Sequence, residues 1–157
     1  RQICGRTTYK GRYHIAKVFF RNIIGGFASS RFHRPPSGLG LSAPSIHAIQ
    51  TVRKIEEHMK MWDITPRMDL LADVAENEAY LAAREGEQYL LYFTGGGAVR
   101  LDLRKHPVNF TLRWIRIEDS AWGKTRRVKG GSFLSLQAPH TTGSPVTVGR
   151  RRLLRAA

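Results

Sequence analysis

A chain of 157 residues, 41% of them apolar, has enough material for a buried core and is not disordered throughout. Its longest apolar run falls far short of the roughly 20 residues that cross a bilayer, and a single cysteine, Cys4, excludes an internal disulfide and a cysteine-rich zinc site. The net charge of +14 sits at the ends: residues 1–21 hold six basic residues and 120–157 hold eight, with no acid in either, while 22–119 hold twelve basic and all twelve acidic residues. A neutral centre argues against a dedicated nucleic-acid-binding fold and leaves weak, nonspecific binding of phosphate backbones by the ends. The first residue is Arg rather than Met, so an internal piece is expected, with signal and compartment information outside it.

Taken in order, Tyr13–Ile24 carries apolar residues at i, i+3 and i+4 spacings, the pattern of an apolar helix, and Gly25-Gly26 is a helix stop. Phe27–Phe32 reads as a short strand. His33–Gly40 contains Pro35-Pro36 and reads as a loop. A second helix runs from Ser42, a capping residue, to about Trp62, with Ile46, Ile49, Val52, Ile55 and Met59 on one face. Asp63–Ala75 reads as a linker. Glu78–Leu103 then predicts a three-stranded meander with turns at Glu85-Gly86 and Thr94–Gly97. Leu90–Phe93 does not alternate, so its strand is expected to be covered on both faces. Phe110–Ile117 is a further strand, with a bulge or twist expected at Trp114–Ile115. Thr125–Val128 and Phe133–Leu136 are expected to pair across Gly130-Gly131, and Val146–Val148 adds a last short strand. Helices come first and strands after, so the fold class expected is α+β, in two units joined near Thr65–Arg67.

Arg31-Phe32-His33-Arg34-Pro35 is the most unusual polar cluster. Two guanidinium groups and an imidazole suit carboxylate, phosphate or sugar hydroxyls, and serve equally for loop salt bridges. Asp69, Asp73, Glu76 and Glu78 are the dense carboxylates, fit either for acid–base work or for capping turns and pairing with Arg67 or Arg84. The histidines lack metal-ligand spacing, and Gly95-Gly96-Gly97 is followed by no Lys-Ser/Thr and no helix, so neither a metal nor a nucleotide cofactor is expected. Trp114 reads as core. Trp122, in a turn, is a candidate sugar-stacking residue.

Several of these stretches together resemble a known family. Gly25–Pro35, Gly38-Leu39-Gly40-Leu41-Ser42, Asp69-Leu70-Leu71, Glu76–Tyr80, Tyr89–Phe93, Gly96-Gly97, Leu101-Asp102-Leu103 and Thr111–Trp114 are similar, in order, to the C-terminal part of bacterial glycoside hydrolases. In that family a (β/α)8 barrel precedes a small β-sandwich called a collagen-binding domain. The resemblance implies that residues 1–66 are the end of a barrel, with its penultimate helix, eighth strand and last helix. It further implies an antiparallel β-sandwich accessory module over 67–149 and a basic tail over 150–157. A whole barrel needs about 250 residues, so the catalytic carboxylates are expected upstream of Arg1 and none in this chain. Arg31 and His33 would then stand on the face where barrel active sites form, and with Trp122 are the expected contacts for a polysaccharide or oligosaccharide. The full-length relative is expected to be extracellular or periplasmic. The likeness fades before Tyr13 and after Pro139, as expected of termini from a truncated or shifted reading frame. Two other readings stand beside it: a basic protein binding nucleic acid through its Arg-rich ends, and a structural β module binding a protein partner.

Overall fold

The computed structural model describes residues 3–4, 11–27, 29–32, 38–139 and 143–150. The protein is α+β, mostly antiparallel sheet with two helices. Strand β1 (Ile3–Cys4), helix α1 (Gly11–Ile24), strand β2 (Arg31–Phe32) and helix α2 (Ala43–Glu56) come first. Short strands β3 (Thr65–Pro66) and β4 (Leu71–Ala72) follow, then β5 (Ala79–Arg84), β6 (Gln88–Phe93), β7 (Ala98–Asp102), β8 (Asn109–Trp114), β9 (Arg126–Lys129), β10 (Phe133–Gln137) and β11 (Ser144–Arg150).

The α1 periodicity buries Ile15, Phe19, Phe20 and Ile24. The helix stops at the two glycines: Phe27 N–H donates to Asn22 C=O (3.0 Å) and Gly26 N–H to Ile23 C=O (3.1 Å), with Gly26 at φ +75°. The strand expected over Phe27–Phe32 is confined to Arg31–Phe32. It pairs with β1 in parallel, Ile3 opposite Arg31, and β1 had no sequence signal. Helix α2 is shorter than its apolar pattern. It ends at Glu56, and a turn of 3-10 helix at Met61–Asp63 follows. Its buried face is Ser45, Ala48, Thr51, Val52 and Ile55, which turns Ile46 outward. Ser42 occupies the N-cap position, but its hydroxyl meets that of Ser45 (2.9 Å) rather than a backbone N–H. Thr51 is buried with its hydroxyl satisfied, by His47 C=O (2.8 Å), the Ser120 hydroxyl (2.9 Å) and, at longer range, Ile117 C=O (3.5 Å).

The large sheet has the order β3-β5-β6-β11-β8-β9 and the small one β10-β7-β4. Apolar side chains of both form one cluster, with Leu81, Tyr89, Leu91, Phe93, Phe110, Leu112, Val146 and Val148 from the large sheet and Val99, Leu101, Leu134 and Leu136 from the small one. The other face of the large sheet carries the helices. Leu90, Tyr92, Ile115 and Ile117 share a second cluster with Phe19, Phe20, Ala48, Val52 and Ile55. Phe20 and Tyr92 stack with centroids 4.9 Å apart and planes 8° apart. The two-sided burial read from Leu90–Phe93 is thus observed, with the helices on one side and the small sheet on the other.

That same burial overturns the meander. Strand β6 already has β5 on one edge and β11 on the other, so β7 has no edge to join and crosses to the small sheet. Glu78 pins the crossing, its carboxylate accepting from Ala75 N–H (2.8 Å) and Ala98 N–H (2.9 Å). The β5–β6 loop has three residues, Glu85–Glu87, rather than two. The hairpin expected across Gly130-Gly131 is not formed either, since β9 pairs with β8 and β10 with β7. Gly130 N–H donates to Val108 C=O (2.8 Å), and a Cβ there would come within 2.0 Å of the His106 carbonyl, so the backbone itself is packed against the preceding loop. No bulge interrupts β8, which pairs regularly with β11 through Trp114. Even-numbered residues face the small sheet and odd-numbered ones the helices, so the apolar shift at Ile115 marks where helix cover begins. Strand β9 closes the far edge with exposed Arg126, Arg127 and Lys129, a charged edge that resists further pairing.

Phe20→Ala removes the stacked ring between α1 and β6. It is expected to cost about 3–5 kcal/mol and to lower one transition in which helix and sheet signals are lost together. Separate melting of the helices, with the sheet unchanged, would contradict the shared core; circular dichroism against temperature decides.

Candidate ligand-binding site

The helices cover only part of the outer face of the large sheet. Three rows cross β6, β11 and β8: Gln88–Gly149–Thr111, Leu90–Thr147–Arg113, and Tyr92–Pro145, with Ile115 just beyond β8 in line. Helix packing buries the third row and Leu90. The remaining polar positions lie open beside the end of α2 and floor a groove of about 870 Å³, within the usual size range of ligand clefts. Gly149 deepens it, since a Cβ there would meet nothing within 4 Å. Gln88 fastens the helix end to the sheet, accepting from Lys60 N–H (3.1 Å) and donating to Lys60 C=O (2.8 Å).

Arg113 lines the same groove and is held by its neighbours. Its guanidinium lies 4.3 Å from the centroid of the Trp122 ring, and Nη1 is 3.4 Å from Nε2 of His58, whose own ring meets Trp122 edge-on at 5.2 Å. Its Nε is buried with no hydrogen-bond partner. Trp122 is half-buried against the helix-side core and bridged to Ile115. Arg113 therefore occupies a face of the ring read from sequence as a stacking surface. Arg31 is exposed on β2, and His33 lies outside the described residues. Arg31 and Trp122 stand in different parts of the fold, the first in the parallel pair and the second beside the groove. Sequence reasoning passed over His58 and Arg113. Their signal was the odd-numbered polar pair Thr111 and Arg113 preceding Ile115 and Ile117 on one face.

A smaller hollow of about 170 Å³ lies at the end of α1, between Asn22, Phe27, Pro66 and Tyr80. Asn22 donates to the Ser30 hydroxyl (3.0 Å), and its Oδ1 is buried without a partner. Among the described residues no group of three or more His, Cys, Asp or Glu could hold a metal, and no described helix is long and apolar enough to cross a membrane.

No protein-family model matches the chain, and no curated protein does. Solved structures do. A glycoside hydrolase superposes with a TM-score of 0.68 at 11% identity, over 88% of this chain and 37% of its own. A glycoside hydrolase family 5 protein from Bacteroides vulgatus gives 0.67 at 14% identity, over 89% and 36%. A family 27 β-L-arabinopyranosidase from Geobacillus stearothermophilus gives 0.54 at 9%, over 94% and 32%. The fold is therefore one found in glycoside hydrolases, and the chain spans about a third of the length of these structures.

The dense carboxylates are engaged in local bonds. Asp69 takes two bonds from Arg67 (both 2.8 Å), Asp73 pairs with Arg100, and Glu78 holds the β6–β7 crossing. Glu85 pairs with Arg67 (2.8 Å) and lies 3.3 Å from His106, and the Arg67 hydrogen bond chiefly holds its carboxyl below the usual range. The Arg104 side chain, then its backbone N–H, pull Asp102 down from the usual 3.8 to about 2. Arg116 and the Ala121 N–H bring Asp119 to about 2. Depressed carboxyls stabilise the fold above their unfolded pKa and lose that contribution as pH falls through the folded value. The melting temperature is thus expected to hold down to about pH 4 and to drop between about 4 and 2. Asp102→Asn should lower it at pH 6 and lose most of that effect by pH 2, as read by a pH series of thermal scans.

Proposed function

We propose that this chain is the C-terminal segment of a longer carbohydrate-active protein of glycoside-hydrolase type, and that it is not catalytic alone. Residues 1–66 form the end of a (β/α)8 barrel, 67–149 a β-sandwich accessory module, and 150–157 a basic tail. The observation that carries the reading is the β1–α1–β2 unit, a parallel strand pair joined through a helix within an otherwise antiparallel fold. Parallel strands with a helical crossover are the repeat of such barrels, and a two-stranded parallel sheet is not a stable unit by itself. The superpositions over a third of each hydrolase agree with a terminal piece.

On this reading the reacting carboxylates stand on strands that precede Arg1. Arg31 on β2, and His33, which follows it in sequence and lies outside the described residues, contribute contacts on the barrel's active face. The module docks on the last two helices through Phe20 and Tyr92 and steadies the barrel's end. Trp122 belongs to the module's own ligand surface. Neither a collagen partner nor a nucleic acid is needed to account for the arrangement. Phe27, Leu41 and Ile46 are exposed apolar residues of the barrel portion, and the outer edges of β1 and β2 carry no strand among the described residues. An isolated chain is therefore expected to self-associate. Light scattering should show a mass that rises with concentration. A mass that stays that of a monomer at every concentration, or hydrolysis of model glycosides by the chain alone, would contradict the assignment.

A further inference from the structure

We propose that the groove beside the end of α2 binds a uronate-containing saccharide, with Arg113 receiving the carboxylate. This rests on the reading of the chain as part of a carbohydrate-active protein and adds to it a site outside the barrel and a ligand class. Pairing of the charges around the groove leads to it. Glu56 is taken by Arg53 (2.9 Å), and Asp63 and Glu87 by Arg84 (3.1 and 3.4 Å). Among the described residues that leaves Lys60, Arg113 and Arg150 without a carboxylate and Glu57 without a cation.

Arg113 is the best prepared of the three cations. Trp122 and His58 fix the plane of its guanidinium, so little freedom is lost when a ligand arrives. Its Nε has been stripped of water without gaining an acceptor. A carboxylate in the groove meets the part of the guanidinium that lines it through charge-assisted bonds, which are the strong ones. The surroundings select the rest of the ligand. Thr111 and Thr147 line the floor and offer hydroxyls to hydroxyls, and Gly149 leaves room for a ring. Unpaired Glu57 accepts from sugar hydroxyls and repels a polyanion such as a nucleic-acid backbone. One carboxylate on a hydroxyl-rich ring satisfies all of these groups.

Calorimetric titration of the full chain with trigalacturonate, neutral galactotriose and a glutamate-rich peptide tests the site. Trigalacturonate is expected to bind about ten-fold more tightly than either of the others, and Arg113→Gln to weaken it by about ten-fold or more. Gly149→Leu fills the groove without touching the charge and should abolish binding, while Arg126→Gln, paired opposite Leu112 on the face of the sheet turned away from the groove, should leave it unchanged. If Arg113→Gln fails to fold, Lys60→Gln at the exposed lip, expected to lose about three-fold, takes its place. Equal affinity for the neutral sugar or the peptide, insensitivity to Gly149→Leu, or no binding of trigalacturonate would overturn the proposal. None of those results bears on the terminal-segment reading, which the association state judges separately.

Discussion

The structure depends on one strand being buried on both sides. Strand β6 sends Tyr89, Leu91 and Phe93 toward the small sheet and Leu90 and Tyr92 toward the helices, and all five are buried. Full burial of a large apolar side chain is worth about 1.5–3 kcal/mol, so these five consecutive residues are the densest source of stability in the chain. A strand so placed must be paired on both edges, since its unpaired backbone groups would be buried with it. Strand β5 meets one edge locally. The other is met by β11, from the far end of the described chain, whose register runs from Ser144 opposite Phe93 to Gly149 opposite Gln88. The remaining topology follows: β7 is displaced to the small sheet, and β8 pairs on the outer side of β11.

This dependence explains how much was legible in the sequence. Helix α1, its glycine stop, strands β5 and β6 and the two-sided burial of Leu90–Phe93 come from local spacing and turn chemistry, and they were read correctly. Pairing is not local. Gly130-Gly131 looks like a hairpin turn in sequence, but both backbones are held by Val108 and Leu103, which no neighbouring residue announces. The Trp114–Ile115 apolar shift was visible and misread as a bulge. It records where α2 begins to cover the outer face. Strand β1 escaped because a two-residue parallel strand carries no period, and β11 was underestimated because its partners are distant.

The groove arises from the same geometry. Two helices are too few to cover the outer face of a six-stranded sheet, so the polar rows of β6, β11 and β8 stay open where Tyr92, Ile115 and Ile117 give way to Gln88, Thr147 and Arg113. The charge excess of the sequence also resolves into places. Arg126, Arg127 and Lys129 guard the edge strand, most internal arginines pair with acids, and Arg113 stacks on Trp122 without a carboxylate. Trp122 was singled out as an aromatic residue in a turn, but the feature that gives it meaning, the guanidinium laid over its ring, comes from Arg113, nine residues earlier.

The proposal that the chain is a terminal segment rests on the parallel β1–α1–β2 unit. Reading the coding sequence upstream of Arg1 in all frames tests it most directly. The account predicts a series of further strand–helix repeats, with paired carboxylates at strand ends. Upstream sequence with no such repeats in any frame would contradict it.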